Sequence, residues 1–374
     1  MTDGWFKPDR VFDGQDIVYD MAVHVADGFI VETSRAPVPA TALSGLLTPG
    51  FVDLQVNGGG GVLLNNTPTA DGMARIAAAH RRFGTVAILP TVITDHPDVL
   101  AQAAAAAIAA KENPDILGLH IEGPHISDAK RGTHRAECIR PLDQDTLTIV
   151  SDLRKAGVAV MITLAPEAAT PAQITALSEM GAIVSLGHTD ATAEEIEVAI
   201  KAGARCGTHL FNAMSPMTSR APGAVGAILN AGIAFGMICD GAHVDDRMFR
   251  LALRACAAGS APFLVSDAMA TVGGETQFTL YGRTIRLQEG RLVNAEGNLA
   301  GAHITQAEGM RRLVLHAGIP LSDALRMVVT TPATLIGQPR LAHVLGRSSD
   351  DLLLLDAASK VLGTMTQSLA PSKT

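Results

Sequence analysis

Six short stretches put chemically capable side chains directly after apolar runs. Asp53-Leu54-Gln55-Val56-Asn57 leads into Gly58–Gly61, and His120-Ile121-Glu122-Gly123-Pro124-His125 closes a second run. Gly187-His188-Thr189-Asp190, Thr208-His209-Leu210-Phe211-Asn212, Asp240-Gly241-Ala242-His243 and Ser266-Asp267 complete the set. Glu122, His188 and His209 make two histidines and one carboxylate, the donor chemistry of a catalytic divalent ion with an open position. They are far apart in the chain, so the set exists only if the fold gathers the ends of those runs. Asp267 would then stand free to take a proton from a water held by the metal. Any one of these histidines, taken alone, reads more simply as a satisfied core residue. Recurrence at successive run ends argues for a site. His24, His80, His316 and His343 lie outside the pattern and read as structural.

Other signals are weaker. Gly58–Gly61 lacks the Lys-Ser/Thr ending of a phosphate loop and reads as a tight turn near the site. Arg220 precedes a helix start in Thr218–Gly223, which suits an anion, although a lone loop arginine is more often solvated. Lys130-Arg131-Gly132-Thr133-His134 is a basic loop with the same two readings.

The elements that must position these groups are legible as rhythm. Eight apolar runs recur: Gly50–Val56, Val86–Pro90, Ile116–Ile121, Val158–Leu164, Ile183–Leu186, Cys206–Phe211, Phe235–Cys239 and Phe263–Val265. Helix-like segments near 71–83, 97–112, 142–156, 171–180, 192–203, 222–232 and 245–259 separate them. Thr192 with Glu195, and Thr305 with Glu308, carry the capping-box pattern. Eight alternations predict a (β/α)8 TIM-type barrel over 49–340, whose active groups belong at the C-terminal ends of the strands. A doubly wound open sheet is the competing arrangement. No GxGxxG follows the first strand, which speaks against a dinucleotide fold. Residues 1–48 and 341–374 read as short strands that pair into a small β-sandwich domain built from both termini. The alternation at 276–299 predicts a β-hairpin insertion after the eighth strand.

Composition supports this reading. The chain has 374 residues, 47% hydrophobic but only 3% aromatic, so its core is aliphatic, as buried parallel strands require. Few aromatics and a net charge of −8 exclude a general nucleic-acid binder. The longest apolar candidate, Ala101–Ala110, is too short to cross a membrane, and the N-terminus lacks signal-peptide features. Four scattered cysteines without a CxxC pair read as reduced thiols, which points to the cytoplasm.

The ordered motifs carry a resemblance across nearly the whole chain. Pro49–Gly58, His120–Pro124, Lys130–His134, Gly187–Thr189, Thr208–Met214, Arg220–Gly223, Asp240–His243, Ser266–Ala268 and Leu299–Gly301 resemble the N-acetylglucosamine-6-phosphate deacetylases of the amidohydrolase superfamily. The resemblance implies hydrolysis of the N-acetyl group of a phosphorylated amino sugar. It implies Glu122, His188 and His209 as metal ligands, Asp267 as acid/base and His134 as the group polarising the acetyl carbonyl. It implies Asn212, Ala213, Arg220, His243, Gly123 and Leu299 as substrate-binding positions, and a homodimer whose phosphate-end residues reach across the interface. Where many superfamily members carry His-x-His and bind two metals, this chain has Gln55-Val56-Asn57. The expectation is therefore one divalent metal per subunit, zinc first and Fe2+, Mn2+ or Co2+ as alternatives, with Gln55 and Asn57 near it. His125 and His303 depart from the usual residues at positions where a change could alter the sugar pocket. Ser348–Asp351 replaces the usual lead-in to a C-terminal β segment that looks shortened.

Two alternatives are weighed. One is deacetylation of N-acetylgalactosamine 6-phosphate or another acylated amino sugar. The other is a non-catalytic sensor of amino-sugar phosphates, which would be expected to lack Asp267 or a ligand, and all are present.

Overall fold

The computed structural model describes residues 3–369 except 296 and 298. The apolar runs form eight parallel strands: Phe51–Val56, Thr85–Ile93, Gly118–Glu122, Ala159–Leu164, Ile183–Leu186, Cys206–Gly207, Ala234–Met237 and Ala261–Leu264. Each pairs with its neighbour in chain order, giving one eight-stranded barrel sheet. The first three strands are buried at every residue, which is why they read as continuous rather than alternating. Helices Ala70–Arg81, Pro97–Ala109, Gln144–Lys155, Pro171–Glu179, Ala193–Lys201, Gly223–Asn230 and Asp246–Ala255 connect successive strands, and Gln306–Leu315 follows the last. The Thr192 and Thr305 capping boxes both form, and Thr170 with Gln173 makes a third.

The barrel interior is partly polar. Thr163 Oγ1 lies 2.8 Å from His120 Nε2 and 2.7 Å from Thr208 Oγ1, and Thr208 lies 2.6 Å from Ser185 Oγ. His120 Nδ1 meets the Leu54 carbonyl at 3.1 Å, so both its ring nitrogens are satisfied below the site.

The sixth strand is shorter than expected and stops at Gly207. His209, Phe211 and Ala213 have φ of +29°, +80° and +50°. Left-handed residues cannot continue a strand, so His209 sits in a turn above the barrel. His188 and Asp267, at +47° and +50°, leave their strands in the same way.

Strands Gly4–Phe12, Ile17–Val18, Ala22–Ala26, Phe29–Ser34, Thr41–Pro49, Leu352–Leu355 and Val361–Thr364 join both termini in one seven-stranded sheet. The lead-in at Ser349–Asp351 is a 3-10 turn, and the strand after it pairs with Thr41–Pro49. Leu352 and Leu354 pack with Phe6, Val23 and Ile30, whereas Leu353 and Leu355 join the barrel core. Both faces of this strand are covered, which explains its unbroken run of leucines. The insertion is larger than a hairpin: Gln277–Leu280, Arg283–Gln288 and Arg291–Val293 form three antiparallel strands. Among the described residues no helix is long and apolar enough to cross a membrane.

Candidate active site

Glu122 ends the third barrel strand. Its Oε1 lies 3.1 Å from His188 Nε2 and 3.1 Å from His209 Nε2, and those nitrogens are 3.2 Å apart. A tetrahedral ion with bonds of about 2.0–2.1 Å holds its ligand atoms about 3.3 Å apart, so this triangle fits one divalent metal. His188 Nδ1 donates to the Lys130 carbonyl at 2.8 Å, which leaves a lone pair on Nε2 for an ion. Burial alone would raise the Glu122 carboxyl, but the two histidines outweigh it and hold it well below its usual range. Burial alone would lower His209, and Glu122 outweighs that to raise it.

His134 packs on His188 with ring centroids 4.3 Å apart, and its Nδ1 lies 2.7 Å from Thr94 Oγ1. Burial, then the neighbouring His188, lowers His134 to about 3, so its imidazole is neutral. The donor atoms of Glu122, His134 and His188 also gather within 4.8 Å, which makes His134 a rival ligand. The triangle through His209 is tighter, with no edge above 3.2 Å, and better matches a single ion.

Asp267 faces this triangle from the end of the eighth strand. Asn57 Nδ2 donates to its Oδ1 at 2.6 Å, and Gln55 Nε2 donates to the same oxygen at 3.2 Å. Gln55 Nε2 also reaches Glu122 Oε1 at 3.1 Å, so one amide bridges both carboxylates. Burial, then the charge of Glu122, raises Asp267 to about 6. This carboxyl is ionised near neutral pH yet basic enough to accept a proton.

These groups open into a cavity of about 240 Å³, with Asn212, Ala213, His243 and Leu299 along its walls. His243 Nδ1 is held 2.6 Å from Asp240 Oδ2. Arg220 is exposed and does not line this cavity. Gly123 does not line it either; a Cβ there would lie 2.2 Å from Thr94 Oγ1. His125 is absent from the cavity wall: its ring nitrogens pair with the Arg140 carbonyl and Thr146 Oγ1. His303 binds Thr271 at 2.8 Å and is also absent from the cavity wall. A larger cavity of about 570 Å³ lies between Arg131–Glu137 and the insertion. It shares Gly132, Thr133, His134 and Leu299 with the smaller one but lacks Glu122 and Asp267.

One contributor, Thr94, does not stand out in the sequence, and the part of Asp240 as the partner of His243 is visible only in the fold. Asp240 belongs to the same stretch as His243, three residues before it. Thr94 follows the second strand, but a hydroxyl escapes a search for titratable groups at strand ends.

Comparison with known proteins agrees with this geometry. Residues 46–344 match the Amidohydrolase family. The chain is 41% identical over 354 residues to the N-acetylgalactosamine-6-phosphate deacetylase of Shewanella sp. (strain ANA-3), covering 91% of this chain and 89% of that one. It is 34% identical over 373 residues to the N-acetylglucosamine-6-phosphate deacetylase of Haemophilus influenzae, covering 95% and 96%. The crystal structure of N-acetylglucosamine-6-phosphate deacetylase from Pasteurella multocida superposes with a TM-score of 0.89 at 34% identity, over 97% of this chain and 98% of that one. The chain thus belongs to the amidohydrolase family, in the group that holds these amino-sugar 6-phosphate deacetylases.

Proposed function

We propose that this protein hydrolyses the N-acetyl group of N-acetyl-D-glucosamine 6-phosphate, giving D-glucosamine 6-phosphate and acetate. The observation that carries the reading is Asp267, held by Asn57 at 2.6 Å beside the Glu122–His188–His209 triangle. That triangle would hold one divalent ion per subunit, zinc being the best match to two imidazoles and a carboxylate. When bound, the ion supplies Lewis acidity toward the scissile carbonyl and acidifies a water.

The protein's own groups do the rest. Asp267 takes the proton of the attacking water and returns it to the departing nitrogen, since an amide anion is a very poor leaving group. His134 donates from Nε2 to the carbonyl oxygen as negative charge develops there. Donation by the Thr94 hydroxyl to His134 Nδ1 selects the required tautomer. Asn212, Ala213, Leu299 and His243 hold the sugar phosphate, with His243 aimed by Asp240. Arg220 lies outside its own chain's cavity, as it would in a homodimer in which each subunit lends Arg220 to the other's phosphate. Gly123 contributes indirectly, by leaving room for Thr94. The domain division at 48/49 and 340/341 belongs to the same reading.

A second reading has a specific observation behind it: the Shewanella relative at 41% identity acts, by its name, on the galactosamine epimer. Acetate release from both phosphorylated sugars by the purified protein, with metal content measured on the same sample, tests the proposal. Release from neither sugar refutes it, and faster turnover of the galactosamine sugar selects the second reading.

A further inference from the structure

Along the paired lengths of its first and last strands the barrel is closed by side chains, with backbone contact only above them. The ladder runs from Phe51–Val56 round to Ala261–Leu264, and among the described residues no ladder joins those two ends. A single bridge, Val56 with Ala268, lies above the gap, where the Asp267 amide donates to the Gln55 carbonyl at 3.0 Å and the Asn57 and Gly58 amides donate to the Ala268 carbonyl at 2.9 Å. Below it, Gln306 Nε2 donates to the Leu264 carbonyl at 2.9 Å and the Val52 carbonyl at 3.3 Å, one from each strand. Between these levels the Asp53 carboxylate accepts the Ser266 amide at 3.2 Å on either oxygen, and the Gln55 amide at 3.2 Å. Asp53 and Gln306 are both fully buried, and neither lines the cavity.

Ser266 and Gln55 are the residues that matter. Ser266 immediately precedes Asp267, and Gln55 carries the amide that bridges Asp267 and Glu122. Asp267 has a φ of +50°, which a non-glycine residue keeps only when its surroundings over-determine it. We infer that Asp53 and Gln306 are positioning residues for proton transfer: they stand in for the missing ladder and thereby set where the Asp267 carboxylate lies. Without the Asp53 acceptor, the buried Ser266 amide would be orphaned. The backbone would then relax toward an ordinary φ and draw the carboxylate off Asn57. The ligand triangle and sugar walls come mainly from other strands and would stay in place.

The inference rests on Asp267 as the acid/base, so Asp267→Asn is measured beside the test variants. Asp53→Leu and Gln306→Leu should each lower kcat by about 10–10²-fold, the usual cost of a small misplacement, with KM within about twofold and metal content unchanged. Asp53→Asn keeps an acceptor for the Ser266 amide and should recover kcat to within about threefold of the parent. A merely structural role would lower kcat, metal content and apparent substrate binding together, and that result overturns the inference. Parental kcat in the leucine variants overturns it as well. Should Asp53→Leu fail to fold, Gln306→Leu decides alone. If Asp267→Asn is inactive while the leucine variants are normal, only the positioning inference fails. If Asp267→Asn turns over normally, the assignment of Asp267 fails too.

Discussion

Asn57 donates its side-chain amide to Asp267 Oδ1 at 2.6 Å, across 210 residues of sequence. Together with Gln55 it occupies the strand position where other amidohydrolases carry His-x-His. Both amides point their N–H groups at carboxylates, an arrangement suited to orienting Asp267 and, under the proposed function, to a site for one ion.

One tightly bound divalent ion per chain is therefore expected. Elemental analysis after dialysis, combined with calorimetric titration of the metal-free protein, measures it. Two tight ions per chain would contradict the role given to Gln55 and Asn57.

Asp267→Asn should keep the metal, because Glu122, His188 and His209 remain. It should lose at least the ~10²–10⁴-fold that positioned proton transfer contributes to kcat. Turnover close to the parent would remove Asp267 from the mechanism.

The pH profile should carry an acid limb. Asp267 acts as base only when ionised, and burial, then Glu122, raises its carboxyl to about 6. Activity is thus present above that value and lost as pH falls through it. A bound cation favours the carboxylate, so the midpoint in kcat/KM belongs at or below about 6. A flat profile down to the pH where the metal dissociates would refute this.

Thr94→Val removes the hydroxyl that, under the proposed function, donates to His134 Nδ1, and kcat should fall by about 10-fold, as for other orienting partners. Thr94→Ser should restore it, since serine offers the same donor. Equal activity in all three proteins would show that the tautomer is set elsewhere.

Arg220→Ala should raise KM for the phosphorylated sugar far more than for N-acetylglucosamine itself. Co-purified heterodimers of Arg220→Ala with Asp267→Asn offer a sharper measurement. If Arg220 serves the other subunit, one competent site is rebuilt and activity rises well above that of either homodimer. No complementation would place Arg220 at its own chain's phosphate or at none.

Much of the site is legible in the residue order alone, because a parallel barrel presents its chemistry at strand ends. Glu122, His188 and Asp267 stand out as the polar residues that close apolar runs. His209 stands out in the same way, although the strand beneath it ends sooner than the apolar run suggests. Its left-handed turn has no signature in Thr208–Asn212, since the turn is imposed by what packs around it. His125 and His303 look like pocket residues by their sequence neighbours. The direction of each side chain decides otherwise, and that depends on the helix or loop opposite.

The sequence by itself determined the alternation of eight buried strands with helices, the donor types for one metal, and the absence of the second pair of histidines. Those are properties of residue type and period. Only the tertiary structure decided that Gln55 and Asn57 hold Asp267, that Thr94 addresses His134, and that Asp53 and Gln306 close the barrel where its ladder stops. These contacts join residues 40 to 254 positions apart, and no local pattern encodes which distant partner a buried amide or hydroxyl will meet.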